Sequence, residues 1–348
     1  MDNQPAETRS LLDSRERHFR IPSDRAGLSL FLRYLAATTP LGAGVSRKGV
    51  LYVHGGTFPS ALSIAHRFDF YSWRDALCAT GYDVWALDFH GFGVLSDLYP
   101  EMADPAERHP PLGRAKDASR QVEVAARFIA DCYGVSERIS IIAHSWGTMA
   151  VGHFAGRYPE LVDRLVFFAP ITWRHSTANA PRLPAWKLVT LQDQWDRFTA
   201  DTPKGETPVL LERHFREWGE HYLDCDPESR MRTPPAVRVP LGPIQDIYDA
   251  WAGRLAYDPS LIRAPVGIIR GEWDSMCTDA DARWLFDALS SSPLKRDVKL
   301  SRGGHLIHLE EGRYALYRET LSFLEGADSV PESPVSEPSN TEFQANRR

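Results

Sequence analysis

The sequence predicts an α/β protein with a mostly parallel sheet and a helical insertion. Strand-like and helix-like stretches alternate over residues 17–170, in the order that builds parallel sheets. The alternation stops at Ile171 and resumes near residue 259. In addition, the apolar run IIAHS at residues 141–145 leads directly from a predicted strand into a predicted helix. A serine therefore stands at a sharp strand-to-helix turn.

The first half of the chain gives the elements in a regular order. RHFRIPS and LSLFLRYLAA predict two strands joined by a turn, and KGVLYVHGG, YDVWALDF, RISIIAHS and DRLVFFAP are compact apolar runs typical of buried parallel strands. Helices are predicted over SWRDALCATG, DASRQVEVAARFIADCYG and WGTMAVGHFAGRYPE. Gly81 and Gly134 are expected to end the first two of these helices.

Residues 171–258, the cap region, contain helical patterns and no convincing buried strand. AWKLVTLQDQWDRFT and LLERHFREWGEHYL each place apolar side chains on one face, and MRTPPAVRVPLGP is rich in proline. The region is too long for a loop. It is therefore predicted to be a helical cap inserted between two core segments, residues 17–170 and 259–326.

The α/β order resumes after the insertion. APVGIIRGEWD, DADARWLFDALS, KRDVKLSRGG and RYALYRETLSFLEG predict a strand, a helix, a strand and a last helix. Residues 1–16 and 327–348 are expected to be flexible termini, because the first segment is polar and the second is rich in Pro, Ser and Glu.

Composition excludes several classes of function. A formal net charge of −6 argues against a nucleic-acid-binding protein. The chain lacks both a signal-peptide pattern and an apolar run long enough to span a membrane, so a cytoplasmic protein that does not bind membranes is expected. The four cysteines form no C-x-x-C pair, which argues against a zinc site and a disulfide framework: Cys78, Cys132, Cys225 and Cys277.

The serine of the strand-to-helix turn is a candidate nucleophile. The segment from Ala143 to Gly147 differs from the nucleophile-elbow pattern G-x-S-x-G by one methyl group, and the flanking strand and helix are those that an elbow requires. A serine that merely caps a helix is the alternative explanation for Ser145 if the motif is taken alone.

Serine needs a base to become a nucleophile at neutral pH. His305 is favoured because it lies on a glycine-flanked loop between the last predicted strand and the last helix. His308 is the rival candidate, but its position in or beside the following helix indicates a packing role.

The base in turn needs a carboxylate that fixes its tautomer. Asp274 follows the strand VGIIRG and is the favoured acid. Glu272 and Asp279 are chemically suitable alternatives close by in the sequence.

An oxyanion hole is predicted at the end of the strand KGVLYV. His54, Gly55 and Gly56 follow that strand, and bare glycine backbone can approach a developing negative charge. The backbone N–H groups of Gly56 and Trp146 are the predicted donors. A tight turn would explain the two glycines equally well.

Taken together, these motifs resemble the α/β-hydrolase superfamily. HGG, LDFHGFG, AHSWG, GEWD and GGH occur in the order of that family, over about residues 17–326 apart from the cap region. The resemblance implies the α/β-hydrolase fold, with an eight-stranded, mostly parallel sheet flanked by helices. It also implies a Ser145–Asp274–His305 triad that works without a metal or an organic cofactor.

The expected function is that of a serine hydrolase acting on a small molecule through an acyl-enzyme. A serine at the elbow argues against dehalogenase and epoxide hydrolase chemistry, which uses an aspartate there. Ester, thioester and amide substrates remain open, as do carbon–carbon bond hydrolysis, acyl transfer and a non-catalytic ligand-binding role. Aromatic residues of the cap region favour a partly apolar substrate, although helix packing also explains them: Trp173, Trp186, Trp195 and Trp218.

Overall fold

A computed structural model describes residues 13–39, 48–133, 138–176 and 179–326. The central feature is an eight-stranded sheet covered by helices on both faces. A separate two-stranded ribbon lies in the cap region. The ten strands are β1 Arg17–Pro22, β2 Ser29–Leu35, β3 Lys48–Val53, β4 Tyr82–Asp88, β5 Ile139–His144, β6 Val162–Phe168, β7 Trp186–Thr190, β8 Ala236–Pro240, β9 Val266–Gly271 and β10 Lys295–Leu300.

The strand order in the large sheet is β1-β2-β4-β3-β5-β6-β9-β10. Strand β2 is antiparallel to both of its neighbours, and the other adjacent pairs are parallel. This topology confirms the predicted eight-stranded, mostly parallel sheet. It also places β3, β5, β6 and β9 side by side, so that the loops at their carboxyl ends meet at one edge.

The described residues form eight α-helices. They are α1 Trp73–Ala79, α2 Ala115–Tyr133, α3 Gly147–Arg157, α4 Leu191–Thr199, α5 Glu212–Leu223, α6 Gly242–Trp251, α7 Asp279–Ala288 and α8 Arg313–Leu324. Helix α1 starts with a capping box, in which Ser72 and Asp75 satisfy each other's backbone N–H groups. Gly81 follows that helix with a φ of 95°, a left-handed conformation that ends it as predicted.

The core has two apolar layers, one on each side of the sheet. Strand β5 is buried along its whole length, and its side chains alternate between the layers. Ile141 packs with residues of α2 and α3, whereas Ile142 packs with residues of α1 and α8. Because both faces are covered, the sequence of β5 is mostly apolar throughout and does not alternate between apolar and polar residues.

The cap region contains two strands that the sequence did not predict. Strands β7 and β8 pair in antiparallel register from Trp186 opposite Pro240 to Thr190 opposite Ala236. The prediction of a helix over AWKLVTLQDQWDRFT is therefore wrong in its first part, since α4 begins only at Leu191. The prediction failed because two five-residue strands that pair with each other carry no long periodic pattern.

The N-terminal boundary also differs from the prediction. Glu16 was assigned to the flexible terminus, but its side chain is only 1% exposed. Its carboxylate accepts hydrogen bonds from the guanidinium groups of Arg33 and Arg74. Glu16 is therefore part of the folded structure, where it pairs with two buried arginines.

Some predictions fall on parts of the chain that are not described. Gly134, residues 1–12 and the tail at residues 327–348 lie outside the described residues. Within the described ranges, no helix is both long and apolar enough to cross a membrane. The same ranges contain no group of three or more His, Cys, Asp or Glu side chains placed to hold a metal ion.

Candidate active site

Ser145 lies at the sharp turn between β5 and α3. Its φ of 54° is in the left-handed region, which costs energy for a residue other than glycine and is the conformation of a nucleophile elbow. The Ser145 N–H donates to the carbonyl of Phe168 on the neighbouring strand β6 at 2.9 Å. A Cβ atom on Gly147 would lie 2.4 Å from the carbonyl oxygen of His54, so only glycine fits there. The predicted Ala143, by contrast, is accommodated and fully buried.

The three predicted residues of the triad are brought together. The Ser145 hydroxyl donates to Nε2 of His305 across 2.7 Å. Nδ1 of His305 donates to the Asp274 carboxylate, at 3.0 and 3.1 Å from its two oxygens. Asp274 Oδ1 also accepts the backbone N–H groups of Met276 and Cys277, which fix the orientation of the acid. This geometry can pass a proton from a serine to a histidine that a carboxylate orients.

The rival base does not reach the nucleophile. Both ring nitrogens of His308 lack a hydrogen-bond partner within the described chain. Its ring packs against Phe58 and His144. Burial lowers the pKa of His308 to about 3, so this side chain is neutral.

The rival acids point away from His305. Glu272 accepts the backbone N–H of Arg302 at 3.0 Å. Asp279 is exposed and forms ion pairs with Arg270 and Lys299. Both carboxylates thus serve surface contacts rather than the histidine.

The glycine loop after β3 passes directly beside the nucleophile. A Cβ atom on Gly55 would lie 3.3 Å from Cβ of Ser145, and one on Gly56 would lie 3.8 Å from Cβ of Trp146. Within the described chain, the backbone N–H groups of Gly56 and Trp146 donate to no protein acceptor. The two predicted donors are therefore neighbours and free to bind a ligand oxygen.

His54 fixes the conformation of this loop. Its Nδ1–H donates to the carbonyl of Gly55 at 2.6 Å, and its Nε2 accepts the backbone N–H of Phe89 at 3.1 Å. Burial lowers the pKa of His54, which keeps the ring neutral and able to accept at one nitrogen while it donates at the other. The loop HGG is thereby tied to the loop that follows β4.

A family model for the alpha/beta hydrolase fold matches residues 49–312. The match covers well over half of the chain and includes all the site residues named so far in this section. The chain belongs to the α/β-hydrolase fold family. No curated protein is significantly similar to it in sequence.

Solved α/β-hydrolase structures share the fold at low sequence identity. The thioesterase domain from the curacin biosynthetic pathway has a TM-score of 0.56 at 16% identity, covering 88% of this chain and 99% of that domain. Carboxylesterase CesB from Bacillus subtilis has a TM-score of 0.55 at 16% identity, covering 90% and 93% of the two chains. A thermophilic esterase from Thermogutta terrifontis has a TM-score of 0.54 at 15% identity, covering 89% and 98%. At such identities the similarity shows the fold.

In this α/β-hydrolase, Asp201 is a site residue that sequence reasoning missed. It lies in the cap region, two residues after α4. Its Oδ2 accepts the backbone N–H of His305 at 2.9 Å, and its Oδ1 accepts the backbone N–H of Ser275 at 3.1 Å. One carboxylate from the cap region thus joins the loops that carry the base and the acid.

Two further buried side chains hold the loop of His305. Glu310 Oε2 accepts the backbone N–H of Gly304 at 2.9 Å. Burial, together with the charges of Asp201 and Asp274, raises the pKa of Glu310 to about 8. On the other side, Nε2 of His144 donates to the carbonyl of His305 at 3.2 Å.

The aromatic residues of the cap region are largely committed to packing. Trp218 is 1% exposed and donates its indole N–H to the carbonyl of Leu62 at 2.9 Å. Its ring contacts Phe58, Phe198 and Tyr222. This cluster joins α4 and α5 to the chain that follows the glycine loop.

Proposed function

We propose that the protein is a serine hydrolase that cleaves an ester, thioester or amide bond of a small, partly apolar molecule. The observation that carries the proposal is the continuous hydrogen-bonded chain from the Ser145 hydroxyl through His305 to Asp274. Serine becomes nucleophilic when a neutral imidazole can take its proton, and the carboxylate stabilises the imidazolium that results.

The first half of the reaction forms an acyl-enzyme. Ser145 Oγ attacks the carbonyl carbon while its proton moves to Nε2 of His305. The carbonyl oxygen becomes an oxyanion, to which the N–H groups of Gly56 and Trp146 donate. As the tetrahedral intermediate collapses, the bond to the leaving group breaks, and His305 gives the leaving group its proton.

The second half regenerates the enzyme. Water attacks the acyl carbon and passes a proton to Nε2 of His305. The bond to Ser145 Oγ then breaks, the proton returns to that oxygen, and the carboxylic acid product leaves. His305 carries every proton in this cycle, so the steps balance with water as the only co-reactant.

The cap region is proposed to roof the site and to contribute to its walls. Three contacts support this role: Asp201 binds the loop of His305, Trp218 packs over the chain after the glycine loop, and Arg197 bonds to Thr57. Substrate selectivity is therefore expected to depend on α4 and α5 rather than on the sheet.

A fluorophosphonate probe tests the nucleophile directly. Wild-type protein should be labelled at Ser145, and Ser145→Ala should lose both the label and nearly all turnover of p-nitrophenyl esters, by several orders of magnitude. Ser140→Ala, on the same strand, is the matched control and should keep both, because its hydroxyl bonds only to Asp163. Near-normal turnover by folded Ser145→Ala would disprove the mechanism.

A further inference from the structure

Arg197 places a positive charge beside the proposed oxyanion hole. It lies in the last turns of α4, in the cap region. Its Nη2 donates to the hydroxyl of Thr57 at 2.6 Å, and Thr57 directly follows Gly56. Nε and Nη2 also donate to the side-chain oxygen of Gln194, at 3.2 and 2.8 Å. The guanidinium is therefore held in a defined position by two neutral partners.

No carboxylate forms a close ion pair with this charge within the described residues, and Asp201 acts on it only at longer range. Arg270 on β9, by comparison, lies within 4 Å of both Asp279 and Asp297. Arg197 has no carboxylate oxygen at that distance within the described residues. Burial lowers the pKa of Arg197 to about 10, which still leaves the group charged at neutral pH. Keeping an unpaired cation partly buried costs folding free energy, and a ligand of opposite charge would offset that cost.

The charge of Arg197 acts on two histidines that lie close to the triad, His144 and His308. Its charge contributes to the lowered pKa values of His144 and His308, although burial is the larger cause for both. His144 precedes the nucleophile and donates to the carbonyl of His305. The position of the guanidinium itself is given by its hydrogen bond to Thr57, the residue that directly follows Gly56.

The last turn of α4 and the residues just after it contact both sides of the site. Arg197 bonds to Thr57 on the side of the oxyanion loop, and Asp201, four residues later, bonds to the backbone of His305 on the side of the base. Ser145 lies between these two loops. The Nη1 amino group of Arg197 donates no hydrogen bond within the described chain, and the fold does not seal it off from solvent. It is thus available to a ligand.

We propose that Arg197 binds a carboxylate carried by the substrate, so that the preferred substrates are anionic acyl compounds. This inference rests on the proposed serine hydrolase activity and specifies its substrate class. A guanidinium offers paired N–H donors that match a carboxylate, and such charge-assisted bonds are stronger than neutral ones. With Nη1 free, the side chain can bind the carboxylate without giving up Thr57 or Gln194.

Matched pairs of esters test the proposal in the wild-type protein. p-Nitrophenyl hemisuccinate carries a carboxylate on the acyl side, and p-nitrophenyl butyrate is its neutral counterpart. 4-Acetoxybenzoate carries the carboxylate on the leaving-group side, and phenyl acetate is its counterpart. In at least one pair, kcat/KM for the charged ester should exceed that for the neutral ester, and the pair that shows it identifies the side on which the carboxylate binds.

Removing the charge should remove the preference. Arg197→Gln is expected to lower the charged-to-neutral ratio of kcat/KM by about 10- to 100-fold, the effect of losing one charge-assisted hydrogen bond. Arg197→Lys should keep part of the preference, since it keeps the charge but not the fork of donors. Arg216→Gln removes an exposed charge from the next helix, α5, and should leave the ratio unchanged.

The hydrolase activity and the carboxylate binding by Arg197 can be disproved separately. Turnover of neutral esters that is lost in Ser145→Ala establishes the hydrolase activity by itself. If the wild-type protein shows no preference for the charged member of either pair, carboxylate binding by Arg197 is excluded while the hydrolase proposal stands. The same conclusion follows if folded Arg197→Gln keeps the full preference. Neutral turnover that persists in Ser145→Ala would instead overturn the underlying activity.

Discussion

Oδ2 of Asp201 lies 2.9 Å from the backbone nitrogen of His305, so a residue of the cap region holds the proposed base. The other oxygen of the same carboxylate accepts the N–H of Ser275, which directly follows the proposed acid. The His305–Asp274 hydrogen bond therefore depends on a residue outside the core segments. Binding of substrate by the cap region and alignment of the triad are physically linked through this carboxylate.

Replacing Asp201 should impair catalysis more than substrate binding. Asp201→Ala removes both acceptors and lets the loop of His305 relax, and displacement of a reacting group by about 1 Å can cost about 100-fold in rate. We expect kcat to fall by about 10- to 100-fold with a much smaller change in KM, and labelling by a fluorophosphonate to slow in parallel.

The exposed Asp196 on α4, the helix just before Asp201, provides the control for this positioning role. Its carboxylate bonds only to the side chain of Gln192, so Asp196→Ala should leave kcat and the labelling rate close to wild type. Asp201→Asn retains one acceptor oxygen and should fall between wild type and Asp201→Ala. A rise in KM with unchanged kcat in Asp201→Ala would contradict the positioning role.

The contrast between Asp201 and the triad residues shows what the sequence could predict. Ser145 and Asp274 follow apolar strands, His305 follows the more polar strand KRDVKL, and glycines or a sharp turn mark their loops. Parallel strands bring such loops to one edge of the sheet, so their proximity follows from the order of the elements. Asp201 acts through hydrogen bonds to backbone groups far away in the chain, and no local pattern marks that use.

The cap region was less predictable than the core for a related reason. Leu188 completed a helical stripe with Leu191 and Trp195 in the sequence, yet it lies on β7 and is 43% exposed. Its partner strand β8 is almost fifty residues away in the sequence. A short two-stranded ribbon is not buried on both faces, so its strands need no long apolar run. Core strands such as β5 are buried on both faces, so their continuous apolar runs can be recognised without knowledge of the partner strand.

Substitution of the two candidate bases should separate their roles. His305→Ala removes the group that accepts the serine proton and should abolish ester turnover. His308→Ala leaves the Ser145–His305–Asp274 bonds in place and should retain a sizeable fraction of wild-type kcat, with a lower Tm because a buried ring is lost. Both should be assayed well below the Tm of the less stable variant. Loss of turnover in folded His308→Ala with activity retained in His305→Ala would transfer the role of base to His308.

The buried Glu310 should make stability fall as pH rises from about 4.5 to about 8. Burial raises its pKa to about 8 in the folded protein, whereas the unfolded chain titrates near 4.5. Between these values the unfolded state has already released the proton, so the free energy of unfolding decreases as pH rises. Glu310→Gln keeps an acceptor for the N–H of Gly304 and cannot ionise. We expect it to be more stable than wild type by about 2 kcal/mol or more at pH 8, and by much less at pH 5, in urea unfolding.

The exposed neighbour Glu311 supplies the matched control for this pH dependence. Glu311→Gln changes the formal charge equally, but its side chain is in solvent, so its effect on stability should be small and similar at both pH values. An equal gain at pH 5 and pH 8 in Glu310→Gln would show that ionisation of Glu310 is not responsible.

Glu16 should stabilise the fold far more than its place in the N-terminal segment suggests. Burial acts to raise its pKa, but hydrogen bonding from His18 and the charges of Arg33 and Arg74 lower the pKa to about 2. Glu16→Gln leaves two buried guanidinium groups without this counter-charge, and removal of one partner of a buried ion pair costs about 3–5 kcal/mol.

The comparison for Glu16 is the exposed pair formed by Glu212 and Arg216, where both side chains are about 70% exposed. Glu212→Gln should cost only about 0.5 kcal/mol, because solvent screens such a pair. Since the folded pKa of Glu16 lies below its unfolded value, its contribution is present above about pH 4.5 and is lost as pH falls toward 2. In urea unfolding between pH 3 and pH 7, the free energy of unfolding should therefore decrease less on acidification for Glu16→Gln than for wild type. Parallel pH profiles for the two proteins would contradict the assignment.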